Sequence, residues 1–512
     1  MTPHDELEER TIAELQEHQA SGEATSRSLV EAYLERIEAI DRGGPTLRSV
    51  IETNPEALAI AEALDRERTE RGPRGPLHGI PVLLKDNVDT ADQMATTAGS
   101  LALLGSKVSQ DATIARRLRE AGAVILGKAN LSEWANFRST RSSSGWSGRG
   151  RQTRNPYVLD RNPGGSSSGS GVAVSANLAA AALGSETDGS IMSPSSNNSV
   201  VGLKPTIGLT SRAGIIPISH SQDSAGPHGR TVADVAAVLS AIAGDADPRD
   251  PGTTSAPAVQ DYTQFLIKDG LRGARIGVAR KFHTGYSEHT DGVFDAALAR
   301  LRDAGAELIE DVEIPGQARL RKPFEEGDEI TSEGLVLQFE FKADLEAYLV
   351  TRPDACIKNI HDLIRFNDDH AAREMPYFRQ ERLLASAERG PLTDALYRRA
   401  IEHNQAFARE FAAFLDEQQF DALVAPTNAP PWAIDLINGD RFLGGSSMVS
   451  AVAGFPVITV PAGYAHECLP IGLTFMGAAW SEPTLIRLAY AFEQADPVRR
   501  APRFRPTLVN LP

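Results

Sequence analysis

Two loops rich in glycine and serine carry the hydroxyl groups with which this sequence could do chemistry. The first is "PGGSSSGSG" at 163–171, and the second is "GSETDGSIMSPSS" at 184–196. A serine hydroxyl becomes a good nucleophile once a neighbouring base takes its proton. Such loops can also be flexible linkers between domains, but both of these lie inside a region of periodic apolar sequence. The pattern therefore favours tightly turned loops that hold one serine for nucleophilic catalysis.

Two other interpretations of these loops are disfavoured. A phosphate-binding loop ends in Gly-Lys-Ser or Gly-Lys-Thr, and neither loop has that ending. Residues 165–169 match the G-x-S-x-G pattern of α/β-hydrolases, which would make Ser167 the nucleophile. That pattern requires a strand immediately before it, whereas the preceding "NPYVLDRNPG" contains two prolines and no strand pattern.

The elements that must position these loops alternate between strands and helices. "GIPVLLKD" (79–86) and "AVILGK" (123–128) predict buried strands, and "DATIARRLREAGA" (111–123) predicts a helix. The small residues at 171–184 predict a further helix, and the alternation returns at 274–314. This order is typical of an α/β protein with a largely buried sheet.

We predict one domain over 1–512 with four regions. Helices are expected at 1–70, and the core that carries both serine loops at 76–245. The charged segment 320–415 has helical periodicity, which predicts a helical subregion packed on the sheet. Strand-like runs in 420–495, among them "DALVAPT" and "FPVITVPAGY", indicate that the chain returns to the same sheet. The predicted fold class is α/β, with a mixed, largely buried central sheet flanked by helices on both faces.

Several motifs in this order resemble the amidase signature family. "PLHGIPVLLKDNVDT" and "ATTAGS" are similar to its catalytic-lysine segment, and "GGSSSGSG" and "GSETDGSI" are similar to its two serine loops. "VVGLKPTIGLTSRAGIIP", "DALVAPT" and "AGFPVITVPAGY" follow in the family's order. The resemblance spans residues 10 to 495 and implies the fold of that family. It also implies a serine hydrolase that cleaves amide bonds without a metal or an organic cofactor.

The resemblance assigns catalytic roles to three residues. Ser190 resembles the acylated nucleophile, Ser166 resembles the middle serine that family members hold in a cis peptide, and Lys85 resembles the terminal base. A lysine can act as a base only when it is neutral, and burial disfavours its charged form. The apolar run "IPVLL" before Lys85 predicts such burial.

The backbone N–H groups of Thr187, Asp188, Gly189 and Ser190 are expected to bind the oxyanion that forms during acyl transfer. Many family members carry Asp-Thr-Gly-Gly-Ser here, whereas this chain has "ETDGS". Backbone donors do not depend on side-chain identity, so the chemistry is expected to survive the aspartate. Together with "SRAGIIPISHSQDSAGP" and "NLSEWANFRSTRSSSGWS", this segment looks most like the bacterial peptide amidases, which release ammonia from C-terminal peptide carboxamides.

Other residues give weaker signals. Ser142, Ser143 and Ser144 resemble the family's loop near the leaving group, with an ordinary turn as the alternative, and Asp223 is a further candidate for substrate binding. Arg230 and Asp234 are candidates for orienting the nucleophile loop, with a surface salt bridge as the alternative.

The sequence predicts no metal site. The neighbouring Asp368, Asp369 and His370 lie on a predicted helix, where adjacent side chains point apart, and the histidines lack the spacing of metal ligands.

The composition of the chain indicates which binding partners and which cellular location to expect. A net charge of −16 argues against nucleic acid, whose phosphates require a basic surface. The sequence has no signal-peptide pattern and no apolar run of about 18 residues, so no membrane span is expected. Two cysteines fit a reducing compartment, and a cytoplasmic location is predicted. We expect a monomer or homodimer that acts on a small-molecule or peptide amide.

Two other functions stay open at this point. The glutamine-hydrolysing subunit of a tRNA-dependent amidotransferase shares the signature but works with partner subunits, and "ETDGS" counts against it. The second is a catalytically silent binding or scaffold protein on the same fold. The presence of the lysine and of both serines counts against that alternative.

Overall fold

Thirteen strands are present in the computed structural model, which describes residues 7–257, 259–327 and 329–508. They are β1 (Val50–Thr53), β2 (Pro81–Lys85), β3 (Val124–Ala129), β4 (Trp146–Ser147), β5 (Arg151–Gln152), β6 (Ala181–Glu186), β7 (Val201–Lys204), β8 (Ser224–Gly229), β9 (Arg275–Val278), β10 (Glu307–Ile309), β11 (Ala422–Pro426), β12 (Val457–Ala465) and β13 (Leu469–Met476).

Eleven of these strands form one sheet, in the order β1-β3-β2-β6-β8-β7-β12-β13-β11-β9-β10, and β4 pairs with β5 apart from it. Strand β2 is parallel to β3 and β6, and β9 is parallel to β10 and β11. The other neighbours in this sheet are antiparallel. Every residue of β2, β3, β6, β7, β8, β11 and β13 is buried. The prediction of a mixed, largely buried sheet is confirmed.

Sixteen α-helices accompany the strands in the described part of the chain. They are α1 (Ile12–Ser21), α2 (Ser26–Arg36), α3 (Ala57–Arg71), α4 (Thr113–Glu120), α5 (Ser168–Ser175), α6 (Met192–Asn197), α7 (Val232–Ile242), α8 (Glu288–Asp303), α9 (Gln317–Leu320), α10 (Ser332–Val350), α11 (Ile360–Asp369), α12 (Ala371–Glu374), α13 (Glu381–Ala387), α14 (Ala395–Glu417), α15 (Ser447–Ala453) and α16 (Glu482–Ala495). Among the described residues, no helix has both the length and the apolar character that crossing a bilayer requires.

Two groups of helices cover the sheet. Helices α5 and α6 pack against each other and form the first group. The second group contains α4, α7, α8 and α16, in which α7 contacts α4 and α16, and α16 contacts α8. Both groups contact the same strands: α5 and α7 pack on β6 and β8, and α6 and α16 pack on β12 and β13. The helices therefore lie on both faces of the sheet, as predicted. Between β10 and β11 the chain forms α9 to α14.

The predicted helix at 171–184 is wrong in its second half. Helix α5 ends at Ser175, Asn177 adopts a left-handed conformation with φ of 57°, and β6 begins at Ala181. Alanine is the strongest helix former, but this segment lies between β2 and β8, which pair with it on either side. Those ladders satisfy its backbone, so tertiary pairing outweighs local preference.

Strands β1 and β8 are among the strands that were not predicted. Strand β1 lies within the region 1–70 that was expected to be helical, and it forms the edge of the sheet beside β3. Strand β8 has the sequence "SAGPHG" and pairs with both β6 and β7. Glycine and proline normally argue against a central strand, and Pro227 nevertheless lies opposite Leu183.

The close packing of α5 depends on Gly169. A Cβ atom there would lie 2.2 Å from the carbonyl oxygen of Ser49 and 2.5 Å from the backbone nitrogen and oxygen of Asn130. Because these are backbone atoms, we expect Gly169→Ala to lower the free energy of unfolding by about 1–3 kcal/mol, the usual cost of overpacking. Chemical denaturation measures the change. Gly75→Ala is the matched control, since its Cβ would meet no atom within 4 Å, and an equal loss in both variants would contradict the prediction.

Candidate active site

Lys85 is the last residue of β2, and its side chain is fully buried. Its Nζ donates to Ser166 Oγ at 2.8 Å, to Ser185 Oγ at 2.9 Å and to the carbonyl oxygen of Ser185 at 3.0 Å. Burial lowers the pKa of Lys85 to about 7, although Asp223 and Glu186 act to raise it. Much of this lysine is therefore neutral near pH 7, and a neutral amine can accept a proton from Ser166.

Ser166 lies within the first serine loop, two residues before α5 begins. The peptide bond between Gly165 and Ser166 is cis, as the resemblance implies. The Ser166 side chain is fully buried, and its carbonyl oxygen accepts a hydrogen bond from the N–H of Ser132 at 3.0 Å. The hydroxyl is thus held against the Lys85 amine, within the reach that proton transfer requires.

Ser190 follows the end of β6 in the second serine loop. Its carbonyl oxygen accepts a hydrogen bond from the N–H of Ser167 at 3.1 Å, which joins the two loops through their backbones. Ser190 is 6% exposed, whereas Ser166 and Lys85 are 0% exposed, so Ser190 is the member of the three that outside molecules can reach. The structure brings Ser166 and Lys85 into hydrogen-bond contact, while the Ser190 hydroxyl donates no hydrogen bond to the described residues. Contacts of this kind often tighten only when substrate binds.

The loop at 187–190 keeps backbone donors available. Within the described part of the chain, the N–H groups of Asp188, Gly189 and Ser190 donate no hydrogen bond. Gly189 has a φ of +77°, a left-handed conformation that glycine adopts without strain. Unpaired N–H groups beside a serine hydroxyl form the arrangement that stabilises an oxyanion.

Glu186 holds the turn that follows Ser190. Its side chain is buried, and its Oε2 accepts hydrogen bonds from the N–H groups of Ile191 at 2.6 Å and Met192 at 2.9 Å. Burial raises the pKa of Glu186, although Lys204 acts to lower it. The carboxyl group therefore fixes the backbone immediately beyond the proposed nucleophile.

A cavity of about 280 Å³ adjoins the two serine loops. It is lined by Gly165, Asp188 and Gly189, and also by Ser142 and Ser144 of the predicted substrate-binding loop. The other residues around it include Arg382, Asn428, Trp432, Asp440 and Ser447.

Ser143 differs from its two neighbours in the predicted substrate-binding loop. Its fully buried hydroxyl donates to Gln152 Oε1 at 3.1 Å.

Asp223 lines a separate cavity of about 500 Å³, together with Thr187 at the start of the loop 187–190. Its Oδ1 accepts from the Thr187 hydroxyl at 2.6 Å, and its Oδ2 accepts from the N–H groups of Ile218 at 2.8 Å and Ser219 at 3.0 Å. Burial raises the pKa of Asp223 to about 6, although these hydrogen bonds act to lower it. The carboxylate fixes Thr187 at the start of the loop.

Ser167, the central residue of the G-x-S-x-G match, has a different role. It is fully buried, and its hydroxyl donates to the carbonyl oxygen of Ser185 at 3.1 Å and accepts from the Ser185 N–H at 3.2 Å. This hydroxyl attaches the first serine loop to β6.

The prediction that Arg230 and Asp234 orient the nucleophile loop is wrong. Strands β6 and β8 are antiparallel, with Ala181 opposite Gly229, so residues after β8 lie at the edge where β6 begins. Arg230 donates to the carbonyl oxygens of Val174 and Ala179, and Asp234 accepts from the N–H of Ile12. The pair ties the N-terminal segment to α7 at the opposite edge from Ser190.

One group of side chains in the described residues has the spacing of metal ligands. His220, Glu340 and Asp344 place one ligand atom each within 4.8 Å of one another. The imidazole already pairs with both carboxylates, because His220 Nδ1 lies 2.9 Å from Asp344 and its Nε2 lies 3.4 Å from Glu340. The geometry is that of an ion-paired cluster beside the larger cavity.

Sequence reasoning missed four residues around the site. Ser185 Oγ accepts from both Lys85 and Asn87 Nδ2, the latter at 2.9 Å. Ser185 and Asn87 stand inside the motifs already quoted, so their closeness to Lys85 and Ser190 in sequence was an available signal. Glu333 and Arg382 come from the helices between β10 and β11, and no local pattern marks them.

Comparisons with known proteins agree with this geometry. The sequence model of the family described as Amidase matches residues 28–486. A probable amidase of Arabidopsis thaliana is 43% identical over 506 residues, which cover 97% of this chain and 92% of that protein. A glutamyl-tRNA(Gln) amidotransferase subunit of Halorhodospira halophila is 36% identical over 515 residues, which cover 95% of this chain and 97% of that protein.

The solved structures include a similar fold. The native peptide amidase from Stenotrophomonas maltophilia is 50% identical with a TM-score of 0.91, over 97% of this chain and 99% of that chain. The likeness extends over nearly the whole chain, so it includes the large sheet and the helices between β10 and β11.

Proposed function

The chain belongs to the amidase family and is an amide-hydrolysing enzyme, and from this premise we propose that it releases ammonia from C-terminal carboxamides of peptides or similar small amides. The observation that carries the mechanism is the buried hydrogen bond between Lys85 Nζ and Ser166 Oγ, next to an accessible serine. The 50% identity to a peptide amidase supports the substrate class.

In the first half of the proposed reaction, neutral Lys85 takes the proton of Ser166, and Ser166 takes the proton of Ser190. The Ser190 oxygen then attacks the amide carbonyl carbon. The negative charge that develops on the carbonyl oxygen is bound by backbone N–H groups at 187–190. Ser166 gives a proton to the amide nitrogen and recovers one from the Lys85 ammonium. The C–N bond breaks, ammonia departs, and an acyl ester remains on Ser190.

In the second half, a water molecule attacks the ester carbonyl while Ser166 and Lys85 take up its proton. The same backbone N–H groups bind the second oxyanion. Collapse of this intermediate returns a proton to the Ser190 oxygen and releases the carboxylic acid. The net reaction consumes one water for each amide bond cleaved.

Substrate contacts are proposed at the smaller cavity. Ser142 and Ser144 line it beside Gly165 and Gly189, which supports a role for them near the carboxamide. Its volume of about 280 Å³ lies just below the usual range for small-molecule sites, which suits the terminal residue of a peptide. Asp223 is proposed to act through Thr187, because its carboxylate already accepts three hydrogen bonds from the protein.

Ammonia release from a short peptide carboxamide, compared with glutamine and a simple aryl amide, tests the proposal. We expect the peptide carboxamide to have the highest kcat/KM, and the same peptide with a free C-terminal carboxylate to release no ammonia. Activity confined to the aryl amide would preserve the mechanism and contradict the substrate class.

The glutamine-hydrolysing alternative is separated by the same assay. It is favoured by the 36% identity to a glutamyl-tRNA(Gln) amidotransferase subunit. Ammonia from glutamine alone, with none from the peptide carboxamide, would replace the proposal with this alternative.

A further inference from the structure

Glu333 is a buried carboxyl group that the proposed mechanism leaves without a role. It is the second residue of α10 and is 7% exposed. Although α10 lies far along the chain from the serine loops, the Glu333 carboxyl reaches the loop at 187–190 through two contacts.

The first contact is with Gln222. Its Nε2 donates to Glu333 Oε1 at 3.0 Å, and the same Nε2 lies 3.4 Å from the carbonyl oxygen of Thr187 as a second acceptor. Gln222 therefore links Glu333 to the first residue of the oxyanion loop.

The second contact is with the buried carboxyl group of Asp188, which lies against the Glu333 carboxyl and close to the hydroxyl of Ser447. Asp188 Oδ1 is buried and accepts no hydrogen bond from a donor group of the described residues. Two ionised carboxylates in contact repel each other, whereas a single proton between them makes a hydrogen bond. A pair that holds one proton is therefore favoured, and that proton gives the buried Asp188 Oδ1 a donor.

Charged groups from several elements face this pair. The charge of Arg382 on α13 acts to lower the pKa of Glu333. The groups that face Asp188 are Lys204 of β7, Arg321 after α9 and Glu186 of β6.

Burial and the charge of Asp188 raise the pKa of Glu333 to about 8, although Gln222 and Arg382 act to lower it. Burial also raises the pKa of Asp188, while Ser447 and Glu333 lower it through their hydrogen bonds. Glu333 is accordingly the member of the pair that carries the proton at pH 7.

We propose that protonated Glu333 is a positioning residue for the oxyanion site. It donates a hydrogen bond to Asp188 and, with Gln222, holds the backbone of 187–190 so that its N–H groups face the substrate carbonyl. Loss of the proton leaves two negative carboxylates in contact, and their repulsion displaces the loop. The inference rests on the proposed function for the reaction it serves, but Glu333 acts through the loop and touches no reacting atom.

The pH dependence of kcat/KM tests this role. The wild type is expected to show a narrow bell: activity rises as Lys85 loses its proton near pH 7 and falls as Glu333 loses its proton about one pH unit higher. Glu333→Gln carries an amide donor that does not titrate, so this variant is expected to keep the acid limb and lose the alkaline limb. Glu333→Leu has no donor, and its kcat is expected to fall about 10-fold to 100-fold at every pH.

Glu340→Gln is the matched control. Glu340 is a fully buried carboxyl on the same helix, but it accepts hydrogen bonds from Ser221 and Tyr397 instead of contacting the oxyanion loop. This variant is expected to keep the alkaline limb. The inference is overturned if Glu333→Gln retains that limb at the wild-type position, or if Glu333→Leu has the wild-type kcat.

Labelling of Ser190 with a fluorophosphonate separates this inference from the proposed substrate. The phosphoryl oxygen of the probe occupies the oxyanion site, so the labelling rate is expected to show the same two limbs. If no ammonia is released from the peptide carboxamide but Glu333→Gln removes the alkaline limb of labelling, the substrate proposal is wrong and the inference holds. If ammonia is released from the peptide carboxamide but Glu333→Gln keeps the alkaline limb of labelling, the substrate proposal holds and the inference is wrong. No labelling at any pH overturns both.

Discussion

Ser190→Ala is expected to lower kcat for ammonia release by about 10⁴-fold to 10⁶-fold, as removal of the nucleophile does in other serine hydrolases. The alanine leaves Lys85 and Ser166 in hydrogen-bond contact but removes the oxygen that forms the acyl ester. Any residual rate reflects direct attack by water at an intact oxyanion site. Mass spectrometry of the protein after fluorophosphonate treatment checks the same point, since the adduct on residue 190 disappears.

Ser195→Ala is the control for this prediction. Ser195 lies on α6 shortly after Ser190, and its buried hydroxyl hydrogen-bonds to His228 Nδ1 at 2.9 Å. Loss of one neutral hydrogen bond costs about 1 kcal/mol of stability, and no step of the reaction uses this hydroxyl. Comparable losses of kcat in both variants would assign the Ser190 effect to structure, and full activity of Ser190→Ala would reject the nucleophile.

Lys85→Met is the second large effect, with an expected loss in kcat of about 10³-fold or more, since the base of the relay is removed. In the wild type, kcat/KM is expected to fall about tenfold for each pH unit below the pKa of Lys85, which burial places near 7. Protonation of the amine removes its lone pair, so activity is lost as the pH falls. The methionine variant has no such group, and its residual activity is expected to lack this acid limb.

Lys85→Met is expected to affect activity and stability in opposite directions. The pKa of Lys85 is lowered on folding, so the unfolded state binds its proton more tightly, and stability rises with pH between about 7 and the ordinary lysine value. Below pH 7 the buried ammonium destabilises the fold, and methionine removes that cost. Lys85→Met is therefore expected to be at least as stable as the wild type in urea denaturation at pH 6.

Lys128→Met provides the contrast for Lys85. Lys128 is also fully buried, but its Nζ donates to the hydroxyl of Thr96 at 2.8 Å, and its charge interacts with Asp86 and Asp89. Its replacement removes one of the buried cations that face these carboxylates and leaves Asp86 with Arg149 and Asp89 with Arg352, which is destabilising. The acid limb of kcat/KM is expected to persist in this variant. Persistence of that limb in Lys85→Met would mean that another group controls it.

The local pattern of apolar residues correctly predicted the strand and the helix that lead to the site. The apolar run before Lys85 corresponds to β2, whose residues are all buried, and apolar spacing around Leu118 corresponds to α4. A continuous apolar run and a helical period each reflect burial of a single element, so they can be read without knowing its neighbours. Family resemblance added the cis peptide before Ser166, which no pattern of residues indicates by itself.

The features that the sequence could not predict depend on contacts between segments that lie far apart in the chain. The alanines after Asn177 have a strong helical preference, yet they form β6 because β2 and β8 flank them. The expectation that Arg230 lies near the nucleophile loop fails because the sequence does not show in which direction β8 runs. Glu333 reaches the same loop from a distant helix, and only the folded chain brings it there.

The backbone hydrogen bond between the Ser167 N–H and the Ser190 carbonyl oxygen has a consequence for how this enzyme can evolve. Because no side chain takes part in it, mutation of neighbouring side chains leaves the link between the two serine loops in place. New specificities can therefore be selected at Ser142 or Ser144, which line the smaller cavity, without rebuilding the relay. Combinatorial libraries restricted to these positions are expected to yield many folded, acylation-competent variants.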